Sequence, residues 1–297
     1  MIPNRIVQLI FFSALIFQNG SFSQFQDVKP VKLEAYNKID KLARNEVSGI
    51  VKSKIRQDTY WVHGDSGTED KIFAIDEDGN MIEDDSDFKG TKVDGAKNKD
   101  WEDIATGTDG TLIIGDIGNN CYCRNDLKIF VIDEPKPDDK SVDVAREYSF
   151  KYPKENDITS FFFKKSLNAE AIFVRRGKIH IISKNERNGV AKLFRLDDPN
   201  PNKENELTYI DSFDLNISVT AADISVDESQ VAVLTKRSIW LFEPGNAESI
   251  FTGKKWWLPI KGIQQVESIT FSGENLVIAE ENGDLYKVPI SRLVEYD

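Results

Sequence analysis

The sequence predicts an all-β protein built from a repeated unit, a β-propeller of five four-stranded blades. After residue 45, short runs rich in Val, Ile, Phe and Tyr alternate with Gly, Asp and Asn clusters, and no helical periodicity of useful length appears. One strand motif also recurs five times along the chain, which is the mark of a repeat architecture. The spacing between the first and second strands of the repeat is nearly constant.

The first 23 residues have the pattern of a secretory signal peptide. Arg5 precedes an apolar run from Ile6 to Phe17, and Ser21-Phe22-Ser23 offers the small-x-small pattern of a cleavage site. The run is shorter than the about 20 residues that a membrane span requires. We therefore expect a secreted or periplasmic protein with one domain over residues 24–297 and no stable membrane anchor.

Each repeat begins with a strand of the pattern Glu-x-Ile or a variant of it. The copies are Val47-Ser48-Gly49-Ile50, Trp101-Glu102-Asp103-Ile104, Ala169-Glu170-Ala171-Ile172, Ala221-Ala222-Asp223-Ile224 and Val266-Glu267-Ser268-Ile269. A second and a third apolar strand follow each copy, such as 112–118 and 128–133 after the second one. Outer strands are predicted at 147–152, 207–213 and 255–259.

The last repeat ends without an outer strand of its own. We expect Val31 to Tyr36, before the first repeat, to supply that strand, so that an N-terminal strand closes the ring. A ring of six blades is an alternative, because the long second repeat has room for an irregular blade. A sandwich or a barrel is a further alternative, although neither explains a recurring unit of four strands.

Composition limits the class of partner. The 297 residues carry 38 basic and 50 acidic side chains, for a net charge of −12. An acidic surface argues against nucleic acid and anionic lipid as partners and favours cations. We expect a monomer. The two cysteines, Cys121 and Cys123, are too close in sequence for an ordinary structural crosslink, and alone they supply at most two metal ligands.

Three glutamates occupy equivalent positions on the innermost strands: Glu102, Glu170 and Glu267. Carboxylates that converge on a narrow channel repel each other unless a cation or protons neutralise them. Because oxygen ligands from separate strands suit Ca²⁺, the sequence predicts a calcium site with these three ligands. Asp103 and Asp223 come one residue after the glutamate position of the second and fourth repeats. They are expected to point into the blade and to accept hydrogen bonds from backbone amides.

The loops between second and third strands are long in the first three repeats and short in the last two. Insertions confined to one face of a repeat protein usually form its binding face. Asp116 or Asp65 is expected to act as general base on a metal-bound water. The expected ligand-binding residues on the rim are His63, Asn119, Asn120, Arg124, Lys184, Lys236 and Glu281.

The repeat plan of the mature chain resembles calcium-dependent propellers of the gluconolactonase and senescence-marker type, and phytase-like propellers. The three inner glutamates are the site residues that the resemblance covers. Those families hold Ca²⁺ at the channel mouth with acids from several blades and hydrolyse lactones or phosphate esters. The resemblance therefore implies a calcium-dependent hydrolase of the lactonase or phosphoesterase type.

Two functions remain open from the sequence. The first is a cation-dependent pocket on the top face that binds, and in an enzyme hydrolyses, a small anionic or sugar-like ligand. The second is a non-catalytic module whose rim loops contact a protein or a glycan. Calcium separates them, because only the first requires stoichiometric cation binding.

Overall fold

The computed structural model describes residues 28–83, 87–153, 167–184 and 189–296. Strands account for 51% of the described residues, and no α-helix occurs in these ranges, where the single helical turn is the 3₁₀ helix Ile290–Arg292. The described ranges hold no helix with the length and apolar character needed to cross a membrane. The predicted signal peptide lies outside the described residues. The prediction of an all-β chain is confirmed.

The 23 strands of the described ranges form four units of four strands and a fifth unit of three, with four short additional strands. Two strands precede the units: β1 (Val31–Lys32) and β2 (Asn37–Lys38). The first unit contains β3 (Val47–Lys52), β4 (Tyr60–Gly64), β5 (Lys71–Ile75) and β6 (Thr91–Asp94). The second contains β7 (Asp103–Thr106), β8 (Thr111–Asp116), β9 (Lys128–Asp133) and β10 (Ser141–Lys151).

The remaining strands continue the same plan. The third unit contains β11 (Ala169–Arg175), β12 (Lys178–Ser183), β13 (Val190–Leu196) and β15 (Thr208–Asp214), with β14 (Asn205–Glu206) beside β10. The fourth contains β16 (Val219–Ile224), β17 (Val231–Thr235), β18 (Ser238–Glu243) and β19 (Lys254–Lys261). The fifth contains β20 (Val266–Ser272), β21 (Asn275–Glu280) and β22 (Asp284–Pro289), followed by β23 (Val294–Glu295) against β19.

Strand pairing joins these units into four sheets. The first two units share one sheet of nine strands, because their outer strands β6 and β10 pair in parallel. The eight-strand path through that sheet begins at β3 and ends at β7, and these two strands contact each other, so the sheet is nearly closed and barrel-like. Each of the other units forms its own sheet of antiparallel strands.

The first strands of the five units meet in a closed cycle. β3 contacts β7, β7 contacts β11, β11 contacts β16, β16 contacts β20, and β20 returns to β3. Five hydrophobic clusters fill the seams, each built from two consecutive units and the last from the fifth and first. Inner strands such as β17 are buried on both faces, which explains their nearly continuous apolar sequence. The outer strand β10 instead alternates exposed with partly buried residues over most of its length.

The N-terminal segment does supply the outer strand of the fifth unit, at a position slightly later than expected. Asn37 and Lys38 pair with Leu285 and Asp284 of β22. Val31 and Lys32, within the predicted closing strand, lie instead against β19 of the fourth unit. The chain therefore bridges two neighbouring sheets before it enters the first unit.

Candidate functional site

The first strand of each unit carries one side chain at the same position near its start. In four units this residue is a β-bulge, because the pairing passes from the residue before it to the residue after it. In the second unit the residue directly precedes β7, and its N–H donates to the carbonyl of Gly115 at 3.0 Å. The five residues, here called the inner ring, are Ser48, Glu102, Glu170, Thr220 and Glu267. In the fourth unit the repeat pattern predicts Ala222 at this position. The bulged residue is instead Thr220, two residues earlier.

Glu170 of the inner ring is paired with a lysine. Its Oε1 lies 2.7 Å from Nζ of Lys184 and accepts a second hydrogen bond from Nδ2 of Asn168 at 3.1 Å. Glu170 is buried, and its negative charge raises the pKa of Lys184 despite the opposing effect of burial. Two residues predicted separately, one as a metal ligand and one as an anion-binding group, thus form one ion pair.

Glu102 is the inner-ring acid with an unmet hydrogen-bonding group. It is 5% exposed, and within the described ranges its Oε1 has no hydrogen-bond partner. Burial first, and then the charge of Glu170, raise the pKa of Glu102 above its usual range. Burial and the charge of Glu170 therefore both disfavour the ionised carboxylate of Glu102, and a bound cation would offset both effects.

Three carboxyl groups meet beside Glu102. Asp65, Asp100 and Glu102 each place one oxygen within 4.8 Å of the other two, and we call this group the carboxylate cluster. Burial raises the pKa of Asp100 to about 6, with a further contribution from the charge of Asp65. The pKa of Asp65 is raised by burial and by the nearby carboxylate of Glu46. Two oxygens bound to one Ca²⁺ lie at most about 5 Å apart, so the spacing fits a single ion.

Gly118 provides the space for this cluster. Its N–H donates to the carbonyl of Asp100 at 3.1 Å, and its Cα lies beside the carboxyl groups of Asp100 and Glu102. A Cβ atom at this position would overlap Oε1 of Glu102 and the carboxyl group of Asp100. The glycine is therefore required by the close approach of side chains and has no dependence on a left-handed backbone.

Asp116 orients the cluster and is itself neutralised. Arg124 forms a bidentate ion pair with the carboxylate of Asp116, with Nη2 donating to Oδ2 at 2.8 Å and Nη1 donating to Oδ1 at 3.3 Å. Oδ1 also accepts the backbone N–H of Asp100 at 2.8 Å. The structure differs here from the expectation of a free base at Asp116 and a free anion-binding group at Arg124, because each takes up the charge of the other. This geometry favours a positioning role for Asp116.

His63 lies in the core and away from the rim where it was expected. It is the residue before the last one of strand β4 and has no solvent exposure. Its ring meets the ring of Trp101 edge-on at 5.6 Å, and its Nδ1 lies 3.0 Å from the carbonyl of Gly64. The imidazole fills the space left by Gly49, since a Cβ there would overlap it. Burial lowers the pKa of His63 to about 4. As a buried neutral group it is out of reach of a ligand.

Asn119 is also structural. It is fully buried, and its Oδ1 accepts the N–H groups of Cys123 and Arg124, both at 2.9 Å. The loop that it organises contains a disulfide between Cys121 and Cys123, although the sequence spacing argued against an ordinary structural crosslink. Tyr122 adopts a left-handed backbone conformation, φ 53°, which turns the chain and brings the two Cα atoms to 5.2 Å.

Of the remaining rim residues, Lys236 and Glu281 are close enough to Glu267 to affect its pKa, and Asn120 contacts Asn168. Lys236 and Asn120 are exposed, and Asn120 accepts a hydrogen bond from Nδ2 of Asn168 at 3.0 Å. Burial and then the charge of Glu170 raise the pKa of Glu267 to about 7, and Glu281 adds to this effect while Lys236 opposes it. The backbone N–H of Glu281 donates to the carbonyl of Gln265 at 2.9 Å. This half of the rim mixes both signs of charge.

The prediction for Asp103 and Asp223 is confirmed. Oδ2 of Asp103 accepts the N–H of Ile172 at 3.0 Å, across the boundary between the second and third units. Oδ2 of Asp223 accepts the N–H of Phe271 at 2.9 Å and the hydroxyl of Thr270 at 2.8 Å, across the boundary between the fourth and fifth. Both acids tie neighbouring first strands together.

The sequence interpretation missed Asp100 and Gly118. Asp100 precedes the Trp-Glu-Asp motif, where it reads as a residue of a loop. The available signal was the acidic doublet formed by Asp100 and Glu102, two positions apart, opposite a Gly-Asp-x-Gly segment that ends at Gly118. Glu170 and Glu267, which were predicted as ligands, lie outside the carboxylate cluster.

Comparisons with known proteins identify no family. No family model matches the chain, and no curated protein matches it. Among solved structures, 511 chains are similar to it in shape. One is the computationally designed Ika8 protein, which is 11% identical over 82% of this chain and 70% of its own, with a TM-score of 0.35. A likeness at that level carries no argument about function.

Proposed function

We propose that the five units are the blades of a five-bladed β-propeller. Three observations support this: four units have four strands and the fifth has three, the first strands of the units form a closed cycle, and each hydrophobic cluster is shared by two consecutive units. Strand β2 would then complete the fifth blade and close the ring. The inner ring would surround the mouth of the central channel.

We propose that the mouth of this channel binds Ca²⁺ through Asp65, Asp100 and Glu102. The observation that carries the proposal is the carboxylate cluster itself, in which the buried Oε1 of Glu102 has no hydrogen-bond partner among the described residues. Buried polar atoms almost always have a partner, so this one calls for an ion, a proton or a water. Calcium accepts six to eight oxygens, which leaves positions for water and for oxygens of a ligand.

The function that follows is cation-dependent binding of a small anionic or sugar-like ligand. Exposed Lys236 would attract an anionic group, while Lys184 holds Glu170 in place. Hydrolysis of a lactone or phosphate ester is the chemistry such a site supports, because a bound cation acidifies water and polarises the attacked group. Glu267, with a pKa of about 7, would accept the proton.

A non-catalytic binding module is the second candidate, and one observation favours it. Asp116 is engaged by Arg124 and Glu170 by Lys184, so two of the acids near the cluster are unavailable for proton transfer. Both candidates include an exported location. The Cys121–Cys123 disulfide supports that part of the proposal, because disulfides persist mainly in oxidising compartments.

The test is a thermal-unfolding series with and without Ca²⁺. At a concentration 100 times Kd, binding to the native state adds about 2.7 kcal/mol of stability, which raises Tm by roughly 5 °C or more in a domain of this size. Glu102→Gln should abolish the rise. The control is Glu134→Gln, a buried glutamate bonded to Ser53 and Trp61, which should keep it. A rise that persists in Glu102→Gln would refute the site.

The same proteins distinguish an enzyme from a binding module. Lactones, aryl esters and phosphate esters are incubated with each variant in Ca²⁺ and in EDTA. An enzyme shows calcium-dependent turnover that Glu102→Gln and Glu267→Gln abolish and Glu134→Gln retains. Calcium binding without turnover of any of these substrates would favour the binding module.

A further inference from the structure

A second recess lies on the same face as the carboxylate cluster. A cavity of about 570 Å³ opens at the seam between the fifth and first units. Its walls are the segment before β3, the loop before β20 and the loop between β21 and β22. Small-molecule sites have volumes of roughly 300–1,000 Å³, so the cavity has the size of a ligand site.

The cavity adjoins the cluster through Glu46. The carbonyl of Glu46 accepts the backbone N–H of Asp65 at 2.8 Å, and its carboxylate is close enough to raise the pKa of Asp65. On the other side of the cavity, Glu281 belongs to the same wall, and its charge contributes to the raised pKa of the inner-ring residue Glu267. A ligand whose oxygens reach the cation would therefore extend into this space.

Polar side chains without partners line the cavity. In the part of the chain that the structure describes, six of them make no hydrogen bond or ion pair: Arg44, Asn45, Glu46, Gln264, Gln265 and Glu281. The wall behind them is fixed, because buried Glu280 accepts the N–H of Gln264 at 2.5 Å and the hydroxyl of Tyr286 at 2.9 Å. The cavity thus presents a set of available donors and acceptors on a firm support.

The chemistry of these groups selects the ligand. Amides and a guanidinium donate, while amides and carboxylates accept, and an array of hydroxyl groups matches both. The wall carries four acids against the single cation Arg44, so its charge disfavours a phosphate or carboxylate. The acids are Glu46, Glu280, Glu281 and Asp284. We propose that this cavity binds the neutral, polyhydroxylated part of the ligand, a sugar or a polyol. This inference rests on the proposed function, because it assigns the organic part of the molecule whose oxygens meet the cation.

The test titrates the full protein in EDTA, so that the charge of a cation does not contribute. The probes are neutral sugars (glucose, galactose, N-acetylglucosamine, maltose) and two anionic ones, glucose 6-phosphate and glucuronate. At least one neutral sugar should bind, and more tightly than either anionic sugar. Gln264→Ala and Arg44→Ala should each weaken that affinity about fivefold, the effect of one lost hydrogen bond of about 1 kcal/mol.

Two further variants sharpen the result. Gln57→Ala removes an exposed glutamine that is absent from the cavity wall, and it should leave sugar binding unchanged. The double variant Glu46→Gln, Glu281→Gln removes two wall charges, and it should raise the affinity for glucose 6-phosphate at least tenfold. All of these side chains are at least partly exposed, so the fold should tolerate the changes.

Three outcomes would overturn the inference. The first is that no neutral sugar binds at tens of millimolar, and the second is that an anionic sugar binds the wild type at least as tightly as the best neutral sugar. The third is that Gln264→Ala and Arg44→Ala bind the neutral sugar as tightly as Gln57→Ala does. A separate Ca²⁺ titration keeps the two proposals apart. Calcium binding without sugar binding removes the cavity assignment alone. Sugar binding that depends on Gln264 in a protein that binds no Ca²⁺ removes the proposed cation site and retains the cavity.

Discussion

Mild acid should destabilise the protein in part through His180. This residue lies in β12, is 3% exposed, and stacks on Phe173 with ring centroids 5.0 Å apart. Its Nδ1 is 2.9 Å from the carbonyl of Lys178, so the neutral ring carries its proton on that nitrogen. Burial lowers the pKa of His180 from 6.5 to about 4. The hydrogen bond to the Lys178 carbonyl and the charge of Asp197 oppose the shift, while Arg195 and Arg175 add to it.

The direction of the effect follows from the two pKa values. Between pH 6.5 and pH 4 the unfolded chain binds a proton at His180 and the folded protein does not. Stability from this residue is therefore complete above pH 6.5 and is lost as the pH falls. Between pH 7.5 and pH 4.5 the loss is about 2 to 3 kcal/mol, at about 1.4 kcal/mol per pH unit below 6.5.

The assay is urea unfolding of wild type, His180→Phe and His180→Gln at both pH values. Each variant has its own stability at pH 7.5, so the quantity compared is the difference in unfolding free energy between pH 7.5 and 4.5. Wild type should lose about 2 to 3 kcal/mol more than either variant. Other groups titrate in all three proteins and cancel. If the three proteins lose the same amount, His180 is protonated in the fold and the reasoning is wrong.

Three further predictions concern the cluster, the seams and the ring. Gly118→Ala should weaken Ca²⁺ binding at least tenfold, measured by calorimetric titration, because the added methyl group overlaps Glu102. Asp223→Ala should lower the free energy of unfolding by roughly 2 to 4 kcal/mol in urea, since the N–H of Phe271 and a neighbouring hydroxyl lose their buried acceptor. Deleting residues 24–38 removes β1 and β2 and should lower Tm by several degrees in a thermal scan.

Each of these has an outcome that contradicts it. Wild-type affinity in Gly118→Ala would mean that the two carboxyls do not need the space. A loss below about 1 kcal/mol in Asp223→Ala would mean that water replaces the missing acceptor. A truncated protein with an unchanged Tm would refute closure of the ring by the N-terminal segment.

The strands were predictable because apolar, β-branched runs recur at a regular distance. The bulges were not, because an extra residue in a pairing leaves no mark in the sequence. In the fourth unit the repeat pattern therefore placed Ala222, which precedes Asp223 and Ile224, at the position of the inner glutamates. The residue that holds this position in the structure is Thr220, the bulged residue. Asp103 and Asp223 were interpreted correctly, since the alternation of a strand fixes which way they point.

The site was predicted less well than the fold for a physical reason. The sequence indicates which strand ends carry acids, but it does not show which acid finds a cation within the protein. Arg124 lies eight positions after Asp116, and Lys184 fourteen after Glu170, yet both pair across a loop or a strand. The burial of His63 depends on Gly49, which lies on a different strand and leaves room for the imidazole because it has no side chain.

The most direct test of the cation site is a calorimetric titration of purified, EDTA-stripped protein with Ca²⁺. Wild type and Glu134→Gln should each bind one ion per chain. Asp100→Asn, which replaces a cluster oxygen by an amide nitrogen or a weaker carbonyl ligand, should lose at least tenfold in affinity. The account predicts one site that depends on Asp100. An absence of heat and of bound metal in wild type, or equal affinity in Asp100→Asn, would contradict it.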